Sequence, residues 1–180
     1  LVAWRKKLAL GEAMYLLDSN VFIDAKNLYY QFDTFPGFWE WLDSEQERGT
    51  LASIHPIRDE LLKGDDELAD WVKARKHTEW FQAIDDEQTQ TNFAEIAEWV
   101  MAQPYKDTAK SHFLSGGDPW LIARARTIGA TVVTHETFDG ASRKKVKIPN
   151  VCRPFGVTPI NTFELIRVTG AAFTLRGGGA

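Results

Sequence analysis

Four acidic residues stand out by position rather than by type. Asp18 follows the short apolar run Tyr15-Leu16-Leu17 and precedes Ser19 and Asn20 within the stretch MYLLDSNVFIDA. That pattern reads as a buried strand presenting a carboxylate at its C-terminal end, next to residues suited to starting a helix. Ligands of open α/β sheets sit outside the carboxyl ends of the strands. Asp18 is therefore a candidate for metal or phosphate chemistry, the alternative being that it only caps the next helix. Glu136 comes in the polar group Thr134-His135-Glu136, which ends a second apolar run, Thr131-Val132-Val133. Asp118 follows Gly116-Gly117 and reads as the N-cap of a helix with Pro119 at its first position. Glu60 flanks the buried stripe Ile54, Ile57 and Leu61, whereas Asp59 points away from it.

If the two strands are parallel neighbours, all four acids can meet at one sheet edge. Like charges about 4 Å apart repel by about 4 kcal/mol at an effective dielectric near 20. Such a cluster is stable only if it holds cations or raises some pKa values. Oxygen ligands without Cys or grouped His point to Mg²⁺ or Mn²⁺ rather than zinc. A carboxylate-bound divalent pair suits phosphodiester hydrolysis, which needs no protein nucleophile. Consistently, no Ser-His-Asp arrangement, activated Cys or phosphate-cradling Gly-rich loop is evident. His135 is either a general acid or phosphate contact, or a plain histidine at the core edge. Arg143, Lys144, Lys145 and Lys147 form a basic loop. Alone it reads as a solubilising surface loop; beside an acidic centre it would hold a nucleic-acid backbone.

The elements that must position these residues follow from periodicity. After Asp18, Val21, Phe22, Ala25 and Leu28 share one side of a short helix. Phe35, Phe38, Trp39 and Leu42 repeat at helical spacing behind Pro36, with Gly49 past the end; Trp41 lies off that stripe. Leu51–Ile54 reads as extended, and Pro56 opens the Glu60 helix. Asp65 or Asp66 caps a helix burying Leu68, Trp71 and Val72. A polar stretch with Trp80 and Phe81 precedes a helix of Phe93, Ile96, Ala97, Val100 and Met101, whose Glu95 and Glu98 face solvent. Leu121, Ile122, Ala125 and Ile128 line the Asp118 helix, which Gly129 stops. Helix, glycine and strand in that order suggest a parallel α/β crossover. Val157 and Ile160 suggest a last strand, and Asn161 with Glu164 a capping box for a helix holding Phe163 and Ile166.

The chain has 180 residues, enough for one domain with a real core, and a formal net charge of −4. That balance argues against a passive DNA-coating protein but not against a nuclease. Cys152 is the only cysteine, which excludes an internal disulfide and fits a reducing, cytoplasmic setting. No apolar run is long enough to span a membrane. Residues 1–13 read as an N-terminal extension or expression remnant, 14–176 as the domain and 177–180 as a C-terminal tail.

At the residues above, the sequence resembles the PIN domain family, and more closely a bacterial branch with a long helical insert, DUF4411. The resembling pieces are YLLDSNVFIDA, RDELLKG, GGDPWLIARA, VVTHETF and KIPNVCRPFGVTPINTFELIR. The resemblance implies a three-layer α/β/α fold with a mostly parallel central sheet and a helical insertion. It also implies a metal-dependent ribonuclease, the toxin of a toxin–antitoxin pair, with an RNA substrate and a cognate antitoxin. Position by position, Asp18, Glu60 and Asp118 match the first three acids, and Ser19 and Asn20 the polar residues after the first. The fourth position departs from the family's usual Asp: Thr134-His135-Glu136 occupies it, with Asp139 slightly later. Glu136 is taken as the fourth acid. Two other readings stay open, an RNA-binding or scaffold module on the same fold and a phosphatase with Asp18 as nucleophile. The latter lacks an acid two residues on, where Asn20 stands. The seven Trp residues leave room for a homodimer interface.

Overall fold

The structure, a computed structural model, describes residues 3–174. The predicted tail 177–180 lies outside them. Five short strands form one parallel sheet: β1 (Tyr15–Leu17), β2 (Leu51–Ile54), β3 (Phe81–Gln82), β4 (Thr131–Val133) and β5 (Pro159–Ile160). Their spatial order is β3-β2-β1-β4-β5. In chain order the helices are α1 (Ala3–Ala9), α2 (Ser19–Asp24), α3 (Pro36–Glu47), α4 (His55–Leu61), α5 (Glu67–Arg75), α6 (Glu87–Ala102), α7 (Asp107–Ser115), α8 (Asp118–Ile128), α9 (Ile148–Cys152) and α10 (Thr162–Val168). The chain is thus α/β, with helices flanking a central parallel sheet, the arrangement expected of a three-layer fold.

The central strands are apolar without alternation because both faces are covered, as parallel sheets require. Leu16, Leu17, Ile54, Val132 and Val133 are all fully buried. From β1 the chain steps outward to β2 and β3, then crosses back to place β4 on the other side of β1. The carboxyl ends of β1 and β4 therefore flank the point where strand order reverses, the usual ligand crevice of such sheets. The register pairs Leu17 with Val133, so Asp18 and Thr134 leave the sheet side by side.

The helix starts use the expected side chains. Asp66, not Asp65, caps α5 by accepting from Ala69 N–H, Asp86 caps α6, and Asn161 with Glu164 forms a full capping box on α10. Several expected core positions differ. Leu28 is exposed because α2 runs on into a π-helical turn, Ala25–Tyr29, which shifts the helical phase. Phe35 precedes Pro36 and lies outside the helix, exposed, while Phe38, Trp39 and Leu42 are buried. Met101 and Phe163 are exposed, and Leu165 takes the buried place on α10. Trp80 and Phe81 are not in a polar loop: both are buried, and Phe81 begins the edge strand β3. Trp41 packs against Phe38 and Phe173. Helix α1, in the segment read as an extension, packs Trp4 on the core and joins its indole N–H to Glu79 at 3.2 Å. Among the described residues, no helix is long and apolar enough to cross a membrane.

Candidate functional site

At the crevice the chain leaves β1 in extended backbone at Asp18 and turns into α2. Asp18 N–H donates to Val133 O across the strand gap at 3.0 Å, which fixes the residue over the sheet edge. The Asp18 side chain is fully buried and makes no capping bond to α2. A cap is therefore not what this carboxylate serves as. Its Oδ2 accepts from Thr134 Oγ at 2.9 Å and Asn20 Nδ2 at 3.1 Å, and Oδ1 lies 3.4 Å from Ser19 Oγ. These donors favour the anion, yet burial outweighs them. Together with the Glu136 charge, burial pushes Asp18 up to about 6.

Asp118 is the first residue of α8, one position later than expected, with Gly117 as its N-cap. Burial first, then the charges of Asp18, Glu136 and Glu60, push its carboxyl up to about 8, while Lys145 acts in the opposite sense. Among the described residues, no hydrogen-bond donor is a main influence on that carboxylate. Four acids from two strand ends and two helices thus act on one another.

Glu60 is held by Gly117 N–H, which donates to Oε1 at 2.7 Å. A Cβ there would stand 2.7 Å from Ile57 Cδ1 and 3.2 Å from Glu60 Oε1, so a larger residue would force one of those side-chain ends to shift. The Gly116-Gly117 pair lets the start of α8 close on α4. Glu136 is held twice, by Ile148 N–H on Oε2 at 2.8 Å and by Lys145 Nζ on Oε1 at 2.5 Å. Asp139 faces its own loop instead, accepting from Ala141 N–H at 3.0 Å with Lys147 3.7 Å away. Its charge is not among the largest influences on Asp18 or Asp118. The acids face one another without closing: among the described residues, no three Asp, Glu, His or Cys side chains already stand as a ligand set. Glu60 and Glu136 are instead turned onto backbone N–H groups and Lys145.

A family model described as a domain of unknown function, DUF4411, matches residues 15–173. The chain belongs to that family. No curated protein matches it. All four acids lie inside the matched span, which begins at β1 and ends just beyond α10; α1 precedes it.

The remaining expected residues of this DUF4411 chain take varied places. His135 has both ring nitrogens engaged, Nδ1 with Asp24 at 2.7 Å and Nε2 with Thr162 Oγ at 2.6 Å. It braces the strand end against α2 and α10 and keeps neither nitrogen free for a phosphate. In the basic loop, Lys145 turns inward to Glu136, and Arg143 donates to Gly140 O and Ser142 O. Lys147 leans toward Asp139, and Lys144 is exposed with no ion pair among the described residues. The loop is therefore partly a counter-charge for the acids. Sequence reasoning missed Asp24 and Thr162, whose link to His135 has no local signal. It also missed Asn150, which clamps Asp139 through both its amide and carbonyl groups. Cys152 lies beneath the crevice, its thiol pushed up to about 12 by burial and by Asp18.

Proposed function

We propose that this chain is a metal-dependent endoribonuclease of PIN type, hydrolysing RNA phosphodiester bonds as the toxin of a toxin–antitoxin pair. The carrying observation is the pair Asp18 and Asp118, two carboxyls pushed up to about 6 and about 8 by burial and by neighbouring acids at the strand-order reversal. Acids perturbed by burial and by specific charges in a crevice are candidates for a functional site. The donor set is all carboxylate, which fits Mg²⁺ or Mn²⁺, with Asp18, Glu60, Asp118 and Glu136 as the holding residues. A divalent cation supplies, when bound, a deprotonated water and charge neutralisation at phosphorus. The protein's own part is orientation. Thr134 and Asn20 aim Asp18, Gly117 fixes Glu60, and Ile148 N–H fixes Glu136. The toxin role rests on the resemblance of the motif set to PIN toxins.

A second reading, an RNA-binding or scaffold module, is favoured by one observation. Lys145 already neutralises Glu136, so the acid set has an internal cation. Labelled RNA incubated with Mg²⁺ or Mn²⁺ separates the two. The nuclease reading expects scission that EDTA stops and that Asp18→Asn or Asp118→Asn abolishes in folded protein. RNA retained intact by protein that binds the metal would favour the module instead.

A further inference from the structure

On the far side of Phe138 from His135 and Glu136 lies a cavity of about 560 Å³, within the roughly 300–1,000 Å³ of small-ligand sites. Phe138 is exposed and walls both spaces, the one holding His135 and Glu136 and the one beyond. The far cavity is lined by Trp99, Tyr105, Arg143, Asn150 and Arg153. Among the described residues neither of its arginines has a carboxylate partner, although Arg143 donates to Gly140 O and Ser142 O; Arg48, Arg58, Arg75, Arg124 and Arg126 each pair with an acid. In a protein of net charge −4, two guanidinium groups without a carboxylate partner concentrate positive charge in one cavity. Arg153 lies over the Phe138 ring, Cζ 5.3 Å from its centroid. The walls are also fixed in place. Lys106 N–H donates to Arg143 O at 2.9 Å, and Asn150 Nδ2 donates to Asp139 O and to Tyr105 Oη.

Cationic groups interleaved with aromatic faces are the chemistry of unpaired nucleotides. Guanidinium groups take the phosphates while bases stack on rings, a face a base paired inside a duplex does not offer. We infer that this cavity is a subsite for a nucleotide of a single-stranded RNA. Arg143 and Arg153 hold its backbone phosphate, and Phe138, Trp99 or Tyr105 takes its base. The inference rests on the RNA reading above and adds the place of one nucleotide subsite and the residues that line it.

The test is fluorescence anisotropy of the full chain with a labelled mixed-sequence RNA 12-mer in EDTA, alone and annealed to its complement. Variants are Arg143→Gln, Arg153→Gln and Phe138→Ala, with Lys73→Gln on α5, outside the cavity walls, as a matched charge loss. Phe138→Ala is expected to weaken single-strand binding about tenfold. Each Arg variant is expected to flatten the dependence of log affinity on log salt by about 0.7, one phosphate's worth for a single strand. Lys73→Gln is expected to leave that slope unchanged, and the duplex to bind more weakly than the single strand. The inference is overturned if wild-type protein does not bind the single strand, if the cavity variants match wild type, if Lys73→Gln matches the Arg variants, or if duplex binds as tightly. Because binding is read in EDTA, the outcomes separate from the nuclease reading. Selective loss of binding in a protein that never cleaves keeps the subsite and removes the nuclease. Unchanged binding in a protein that cleaves does the reverse.

Discussion

Replacing Asp118 by Asn should stabilise the metal-free protein at neutral pH while removing its activity. An acid whose folded pKa is raised holds, in the folded state, a proton that the unfolded chain releases. Its cost is absent below the unfolded pKa and grows as pH rises toward the folded value. For Asp118 the window runs from 3.8 to about 8. Near pH 7 that is about three units at about 1.4 kcal/mol each, an upper bound near 4 kcal/mol. Relaxation and water entry reduce such penalties, so a gain of about 2 kcal/mol is expected. Asn keeps the shape, and no hydrogen bond is among the main influences on the Asp118 carboxylate. Urea unfolding in EDTA at pH 4 and pH 7 reads the effect. The variant should exceed wild type at pH 7 and match it at pH 4. Adding Mn²⁺ should reverse the order, since a cation bound only to the folded state stabilises by mass action and the variant lacks one holding group. A variant less stable than wild type by the same amount at both pH values would refute the reasoning, because the acid would then be structural and not a strained charge.

Three further outcomes follow from the same geometry. Lys145→Met removes the ammonium beside Glu136 and should tighten Mn²⁺ binding in calorimetric titration; weaker binding would mean that Lys145 orients Glu136 for the metal. Gly117→Ala would press a Cβ to 2.7 Å from Ile57 Cδ1, and overpacking of this kind costs about 1–3 kcal/mol; a lower melting temperature and weaker Mn²⁺ binding should appear together, and loss of neither would contradict the close approach of α8 to α4. Cys152, buried and pushed up to about 12, should resist a disulfide-forming reagent in native protein and react fully in denaturant; rapid native labelling would contradict its burial.

Much of the fold was legible because its signals are local. A three-residue apolar run ending in Asp-Ser-Asn, a glycine between helix and strand, and Asn161 with Glu164 each carry their own chemistry within a few residues. The failures are equally physical. Leu28 was misassigned because a π-helical turn changes the period partway along an otherwise regular pattern. The strand at Phe81 is two residues long, too short for any alternation to show. Helix α7 leaves only Ala109 and Phe113 buried and gave no stripe to read. The His135 brace joins residues from three elements, and no spacing along the chain encodes it.

The same contrast explains the fourth acid. Glu136 and Asp139 stand three residues apart after one strand, so either could reach the crevice on spacing alone. What separates them is their backbone surroundings. The Thr134 hydroxyl accepts from Glu136 N–H at 3.2 Å while donating to Asp18, which draws the start of the loop against the first acid. Asn150 holds Asp139 outward by bonding its N–H and its C=O at once. The choice of acid is thus made by two neutral side chains. Lys145 then neutralises the acid so chosen. A chain that gathers four carboxylates in low dielectric carries part of the compensating charge itself. That gives the basic run a reason to sit ten residues after β4 whether or not RNA is bound.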